Sequence, residues 1–186
     1  MKLVNNCENV ILSAKRIVEA DENSVIRLNA NGGNSILIVC EPIKEVDYID
    51  AIRNLMTEIQ YEIIDLNEIL CNFVCQNRED ISGSFELLKG SIHQIFKIPD
   101  GEEGPDLFNL IIQEVKKSFE RSKIPVLINS GALYGSGIDN IHIMENELIM
   151  KASLPLIVLY PATKHNDKLM FLGIRPASKY RCMIIE

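Results

Sequence analysis

The feature that most constrains the fold is a short apolar run, SILIVC, at residues 35–40. The run is rich in Ile and Val and shows no alternation of apolar and polar residues, so neither of its faces is suited to water. Strands of this kind lie inside parallel sheets that are covered by helices on both faces. Glu41 and Pro42 follow directly and end the run. We therefore expect residues 35–40 to form a central strand.

Amphipathic helical patterns alternate with further short apolar runs along the rest of the chain. The spacing predicts helices near residues 10–18, 46–59, 66–74, 106–121 and 138–152, and strands at 61–64, 126–129 and 156–160. Such alternation is typical of a three-layer α/β fold, in which helices flank a mostly parallel sheet. The apolar runs at 169–172 and 181–185 lie too close together for helical crossovers, so they predict antiparallel strands at a C-terminal edge.

A length of 186 residues favours one domain. Residues 1–34 are interpreted as an N-terminal helix and a connector, and residues 77–105 as an irregular excursion from the core. We therefore expect a single α/β domain over residues 1–186.

Charge is distributed unevenly along this acidic chain, whose net charge is −7. Residues 41–114 carry five basic and sixteen acidic residues, whereas residues 151–186 carry six basic and two acidic ones. The acidic balance disfavours direct nucleic-acid binding, which requires a positive surface opposite the phosphates. The basic residues near the end predict either a local patch or ordinary solvated charge: Lys164, Lys168, Arg175, Lys179 and Arg181.

The sequence also indicates the compartment. Its apolar runs, such as that at 156–160, are far shorter than the roughly 20 residues that cross a bilayer, and polar residues interrupt the first segment, unlike a signal peptide. Five cysteines without CxxC spacing suit a reducing environment. We therefore expect a cytoplasmic protein without a membrane partner, with its thiols in the core.

Metal-ligand patterns are weak. Cys71 and Cys75 are four residues apart, on one face of a predicted helix, but a metal site would need two more ligands. The three histidines are scattered singly. We assign no metal site.

A glycine-rich loop at residues 131–137 is the first candidate ligand site. Gly131, Tyr134, Gly135 and Gly137 follow a predicted strand and precede a predicted helix, where free N–H groups often hold anions. A Walker A loop needs a lysine before Ser or Thr, which is missing, and the third glycine of a dinucleotide-binding loop is missing too. The alternative is a turn without a ligand, and no cofactor is expected.

Glu41 and Asp65 form the second candidate, because each directly follows a predicted parallel strand. Paired carboxylates at one edge of a sheet can hold a metal or exchange protons. Asp65 has an alternative role, since Asp65 and Glu68 match a helix-capping pattern. No nucleophile, histidine or lysine is tied to the pair by spacing, so we assign no catalytic residue.

Aromatic and guanidinium side chains near the end of the chain are candidate interface residues. Such groups commonly anchor protein–protein interfaces. The set is Tyr160, Arg175, Tyr180 and Arg181. Packing within an edge strand is the alternative.

An ordered series of motifs resembles the BrxB family. ILIVCEPIKEVDYIDAIRNLMTEI, followed by YEIIDLNEIL, is similar to its first strand, proline-containing turn, long helix and second strand. Later motifs are similar to its strand exit, helix, Tyr-Pro strand and final hairpin: VLINSGALYG, MENEL, LPLIVLYPA, KLMFLG and KYRCMI. The series covers roughly residues 35–186. The chain departs from the family at Gly135, where relatives tend to have proline, at Asp139 and Asn140, near a usual arginine, and at Ala162, where glycine is usual.

The resemblance implies a small, cytoplasmic, non-enzymatic component of a BREX-type phage-defence system. It implies a P-loop-NTPase-like or Rossmann-like core that lacks the Walker A lysine. The implied partner is a PglZ-like protein of the alkaline-phosphatase superfamily, with other BREX subunits in a larger assembly. The alternative is a nucleotide- or phosphate-binding hydrolase that uses the loop at residues 131–137.

Overall fold

The computed structural model describes residues 6–20, 23–91, 93–98, 104–166, 168–178 and 180–186. The helices are α1 (Asn6–Glu19), α2 (Asn23–Asn29), α3 (Glu45–Leu55), α4 (Leu66–Gln76), α5 (Arg78–Leu87), α6 (His93–Phe96), α7 (Leu107–Glu120), α8 (Asn140–Met144) and α9 (Glu147–Lys151). The strands are β1 (Ser35–Cys40), β2 (Tyr61–Asp65), β3 (Ile124–Ile128), β4 (Leu156–His165), β5 (Lys168–Phe171), β6 (Arg175–Pro176) and β7 (Met183–Ile185).

Strand β1 lies inside a mostly parallel sheet with the order β2-β3-β4-β1-β7. It pairs in parallel with β4, where Ser35 lies opposite Leu156, and with β7, where Leu37 lies opposite Ile184. Ile36, Leu37 and Ile38 are fully buried. The α/β fold and the central strand predicted from SILIVC are confirmed.

Helices cover both faces of the sheet. On one face, Ile11 of α1 and Ile52 of α3 pack in one cluster with Ile38 of β1. On the opposite face, Ile111 of α7 packs in a second cluster with Leu37 of β1. Neighbouring residues of the same strand therefore enter different cores, which explains why SILIVC has no polar positions. The predicted three layers are confirmed.

The helix after β1 is shorter than its sequence pattern suggests. The spacing predicts inward positions from Val46 to Ile59, but α3 ends at Leu55 and Ile59 lies beyond it, 86% exposed. Val46 is 68% exposed, because the buried face of α3 contains Tyr48, Ile49 and Ile52 instead. The inward assignment of Val46 and Ile59 is wrong.

The C-terminal strands differ from one another. β5 is antiparallel to β4, and β6 is antiparallel to β5, so the predicted antiparallel edge is confirmed for this hairpin. The expectation is wrong for β7, which is parallel to β1. The hairpin and the segment after it provide enough chain for a parallel crossover without a helix.

The sequence predicts that the strand at 156–160 ends before Pro161, and this boundary is wrong. Strand β4 continues to His165, with Pro161 opposite Cys40 of β1. The Pro161 carbonyl accepts a hydrogen bond from the Leu172 N–H at 2.8 Å, so the peptide groups of Pro161 face the hairpin rather than β1. The missing N–H therefore removes no bond from the β1–β4 ladder, which is the condition under which a strand accepts proline.

Three segments contain helices that the pattern did not predict in this form. The predicted helix at 138–152 is divided into α8 and α9, because Asn146 is extended and its side chain caps α9 by accepting the Leu148 N–H. The excursion at 77–105 contains α5 and α6, although residues 92 and 99–103 lie outside the described residues. Part of the predicted connector is α2. Among the helices in the described ranges, none has the length and apolarity that a membrane span requires.

A hydrogen-bond clamp fixes the segment just before β1. The Asn34 side chain is fully buried, and its Nδ2 donates to the carbonyl oxygens of Ile149, Ala152 and Leu154 at 2.9–3.0 Å. Arg27 donates to the Ala152 oxygen at 3.0 Å and to the Met150 oxygen at 3.1 Å. These bonds tie the segment before β1 to carbonyl groups in the last turn of α9 and in the residues just after it.

Gly33 lies at a close crossing of two backbones beside this clamp. A Cβ atom at this position would overlap the carbonyl group of Arg181, in the segment that leads into β7. The crossing therefore requires glycine, and it links the start of β1 to the start of β7.

Candidate functional site

The polar residues Glu41 and Asp65 both lie at the carboxyl ends of parallel strands. In open α/β sheets, ligands bind at this edge. The sheet order separates the end of β1 from the end of β2 by two intervening strands, or roughly 14 Å. Glu41 pairs instead with Lys44, at 3.1 Å. Glu41 and Asp65 therefore share an edge but do not form the carboxylate pair that we considered.

Asp65 is a structural carboxylate. Its Oδ1 accepts hydrogen bonds from the N–H groups of Asn67 and Glu68 at 3.0 and 3.3 Å, which caps α4. Both of its oxygens accept from Asn129 Nδ2 at 2.9 Å, and Arg53 lies at 3.8 Å. These contacts occupy the carboxylate, so the capping alternative accounts for Asp65.

Asn129 was missed by sequence reasoning. It follows β3 in the left-handed conformation, with φ of 56°, which asparagine tolerates better than most residues. This conformation lets its side chain bridge to Asp65 and tie the ends of β2 and β3 together. A polar residue directly after a strand was the available signal, but nothing in the sequence indicated its partner.

Glu45 is the second residue that the sequence did not indicate. It begins α3, and its Oε1 is buried without a hydrogen-bond partner among the described residues. Burial, followed by the nearby negative charge of Asp65, raises the pKa of this carboxyl group above its ordinary 4.5. The ionised form of the Glu45 carboxyl group is therefore destabilised in the folded protein.

Replacing Glu45 by glutamine should stabilise the protein at neutral pH. The folded chain holds the Glu45 proton more tightly than the unfolded chain does. The stability that protonated Glu45 contributes is therefore full below pH 4.5 and is lost as the pH rises through the raised pKa, whereas glutamine stays neutral at every pH. We expect Glu45→Gln to raise the melting temperature at pH 7.5 by about 2 °C or less, and to change it little near pH 4. Thermal unfolding at both pH values measures the effect.

Asp47→Asn is the matched control, because Asp47 is an exposed carboxylate in the same helical turn. This change should give no gain at pH 7.5, since a negative charge near a helix N-terminus is favourable. Equal shifts of the melting temperature for the two variants would contradict the conclusion that ionised Glu45 is destabilised in the folded protein.

The loop at residues 131–137 folds onto itself. The N–H groups of Ala132, Tyr134 and Ser136 donate to carbonyl groups three residues earlier, at 3.0–3.1 Å. The Ile138 N–H donates to Ser136 Oγ at 3.2 Å. These donors are therefore occupied, whereas an anion-binding loop directs such groups at its ligand.

The glycines of this loop allow close packing and backbone conformations that other residues rarely adopt. A Cβ at Gly131 would meet Leu172 Cδ2 at 3.1 Å, and a Cβ at Gly137 would overlap His93. Gly135 and Gly137 both have positive φ, of 86° and 80°. Tyr134 is half exposed. This geometry favours the turn over the phosphate-binding loop.

Tyr160 and Tyr180 pack together inside the protein. Tyr160 is 1% exposed, stacks on Phe171 with ring centroids 4.7 Å apart, and shares a 2.8 Å hydrogen bond between its hydroxyl and that of Tyr180. Burial is the main cause that raises the pKa of both phenols. The interface assignment of Tyr160 is wrong, because the side chain is not at the surface. Packing within the protein accounts for this pair, although β4 is an inner strand rather than the edge strand of the alternative, and Tyr180 lies outside the strands.

A small cavity lies beside these tyrosines. It is lined in part by Asn140, which is 4% exposed and whose Oδ1 has no partner among the described residues. The volume of about 20 Å³ suits one water molecule rather than an organic ligand.

The basic residues near the end of the chain pair with acidic residues of the same chain. Arg175 donates to both carboxylate oxygens of Asp139, at 2.8 and 3.0 Å. Arg181 reaches Glu145 at 3.4 Å, and Lys164 reaches Glu186 at 3.2 Å. These pairs attach the β5–β6 hairpin and the segment after it to the rest of the fold, and they reduce the free positive charge of the predicted patch.

The five cysteines differ in exposure, and Cys7 is partly buried. Cys40 and Cys182 are buried, and burial raises the pKa of each thiol to about 12. Cys71 and Cys75 are exposed on α4, so the expectation of core thiols is wrong for them. Within the described part of the chain, no group of three or more His, Cys, Asp or Glu side chains has metal-binding geometry.

The structure is an α/β fold with a mostly parallel sheet. In its glycine-rich loop at residues 131–137, the N–H groups of Ala132, Tyr134 and Ser136 are occupied by backbone hydrogen bonds. No family model, no curated protein and no solved structure matches the chain.

Proposed function

We propose that this chain is a non-catalytic, protein-binding component of a BREX-type phage-defence system, with a PglZ-like protein as its partner. The observation that speaks against a phosphate-binding enzyme is the loop at residues 131–137, where the N–H groups of Ala132, Tyr134 and Ser136 already donate to carbonyl groups three residues earlier in the chain. The ordered BrxB-like motifs support the biological setting.

The charge distribution supports binding through the acidic part of the chain. Residues 41–114 carry a net charge of −11, whereas three basic side chains near the end are already paired within the chain. Complementary charge accelerates association and excludes wrong partners. A partner surface of positive charge would suit the acidic segment.

ATP or GTP with Mg²⁺ should leave the melting temperature unchanged. A ligand that binds only the folded state stabilises it by about 2.7 kcal/mol at one hundred times its dissociation constant, which is a shift of several degrees. A scan at millimolar nucleotide measures this. A clear rise would contradict the proposal and favour the nucleotide-binding alternative that uses Gly131, Gly135 and Gly137.

The partner is tested directly by size-exclusion chromatography of this protein mixed with a PglZ-like protein. We expect co-elution at low salt and micromolar concentration, weakened as salt screens the charges. Absence of co-elution at low salt would overturn the assignment of this partner.

A further inference from the structure

Strands β1 and β4 are neighbours whose outgoing connections lie on opposite faces of the sheet. The two strands pair in parallel. The chain leaves β1 through α3, whose Ile52 packs in the first cluster, whereas it leaves β4 through β5, whose Phe171 packs in the second cluster on the other face. In open α/β sheets, ligands bind in the crevice between two strands whose connections diverge in this way. The fold therefore favours a ligand between the carboxyl ends of β1 and β4.

A cavity of about 440 Å³ lies in this crevice. It is the β1–β4 cavity, formed by residues 39–41 at the end of β1 and residues 162–164 of β4, with side chains from α1, α3 and β5 beside them. Sites for small molecules commonly have volumes of roughly 300–1,000 Å³. The β1–β4 cavity is thus large enough for an organic ligand, unlike the small cavity beside Tyr160 and Tyr180.

Tyr48 brings an unpaired polar group to the β1–β4 cavity. The residue is 6% exposed, and its hydroxyl makes no hydrogen bond to another residue in the described part of the chain. Burial is the main cause that raises the pKa of this phenol, and the further causes are the charges of three residues that line the same cavity: Cys7, Cys40 and Glu41. The hydroxyl therefore faces the cavity and keeps its proton at neutral pH. Because a buried polar group without a partner is costly, a ligand that accepts this hydrogen bond would be favoured.

The charged side chains that line the β1–β4 cavity are already paired with one another. Lys44 Nζ lies 3.1 Å from Glu41 Oε1, and Lys164 Nζ lies 3.2 Å from Glu186 Oε2. These four side chains sum to a net charge of zero among the described lining residues. A charged ligand would therefore find no free counter-charge, and burying an unpaired charge is costly. The lining favours a neutral ligand.

We propose that the β1–β4 cavity binds a neutral small molecule whose ring carries hydroxyl groups, either a sugar or a nucleoside. A hydroxyl both donates and accepts hydrogen bonds, so it can accept from Tyr48 and donate to the Glu41 carboxylate without changing the charge balance. The side chains of Val39 and Leu169 offer apolar contacts for the carbon atoms of the ring. The inference goes beyond the proposed function, because binding of a partner protein requires no small ligand.

Phosphorylated forms of the same molecules are less suitable. Their phosphate groups would add negative charge beside Glu41 and Glu186, whose lysine partners are already engaged. Like charges oppose association. The proposal therefore agrees with the expectation that ATP and GTP leave the melting temperature unchanged.

The probes are D-ribose and adenosine, with ribose 5-phosphate and AMP as their charged counterparts, each titrated into the full chain. We expect adenosine to shift the backbone amide NMR signals of residues 39–41 and 162–164, with a dissociation constant below about 1 mM. AMP should bind at least about fivefold more weakly than adenosine. Binding of ribose as well would identify the sugar as the recognised group, whereas binding of adenosine alone would identify the whole nucleoside.

Two outcomes of these titrations would overturn the proposal. One is that neither neutral probe shifts the signals of residues 39–41 and 162–164. The other is that a phosphorylated probe binds as tightly as its neutral counterpart, because the cavity would then not select against charge.

Tyr48→Phe tests the hydroxyl while keeping the ring. It should weaken binding of the neutral probe by about fivefold, since one hydrogen bond to the ligand is lost. The melting temperature without ligand should not fall, because the hydroxyl has no partner among the described residues. Tyr134→Phe is the matched control, since Tyr134 is half exposed and does not line this cavity, and its affinity should stay within about twofold of wild type. Equal affinities of the two variants would also overturn the proposal.

Discussion

Replacing Gly33 by alanine should destabilise the protein by about 3 kcal/mol or more. The added Cβ would overlap the backbone carbonyl group of Arg181, and a backbone cannot move aside as cheaply as the end of a side chain. The change forces apart the segments that lead into β1 and β7. Urea unfolding, followed by circular dichroism, measures the loss as a lower midpoint.

Gly83→Ala is the matched control. Gly83 lies inside α5, and a Cβ there would meet nothing within 4 Å. Alanine is better than glycine within a helix by about 0.5–1 kcal/mol, so this variant should be unchanged or slightly more stable. Similar midpoints for the two alanine variants would contradict the close crossing at Gly33.

Replacing Asn34 by alanine should cost about 2–3 kcal/mol of stability. The side chain is fully buried, and its amide donates to the carbonyl oxygens of Ile149, Ala152 and Leu154. Alanine leaves these acceptors with fewer partners in a site that water does not reach. The free energy of unfolding in urea is the measurement.

Asn29→Ala is its control. Asn29 is exposed, and its side chain makes one hydrogen bond, to the Val25 carbonyl within α2. Its removal should cost less than about 0.5 kcal/mol. A loss at Asn29 as large as that at Asn34 would show that the clamp has no special role.

The central sheet could be predicted because its signal is local. SILIVC is apolar on both faces, and the Asp65 side chain caps α4, as its pattern with Glu68 indicates. Each of these features requires only neighbouring residues. The direction of β7 was not predictable in this way, because it depends on where the hairpin returns the chain.

The candidate site was less predictable for the same reason. Their positions directly after parallel strands suggested that Glu41 and Asp65 could form a carboxylate pair. The strand order separates them along the shared edge and joins Asp65 to Asn129 across 64 positions. Tyr160 has the chemistry of an interface anchor, yet its position in β4 buries it. Residue type indicates what a side chain is able to do, whereas the order of strands decides what it meets.

The position of β7 has a consequence for synthesis of the chain. Its residues 183–185 supply one of the two neighbours of β1, which is made almost 150 residues earlier. A nascent chain therefore carries β1 with one apolar flank unpaired until the ribosome has translated this last strand. Contacts between such distant positions slow folding, and an unpaired apolar strand invites aggregation. A chain that stops before residue 183 would leave this flank of β1 without its parallel neighbour.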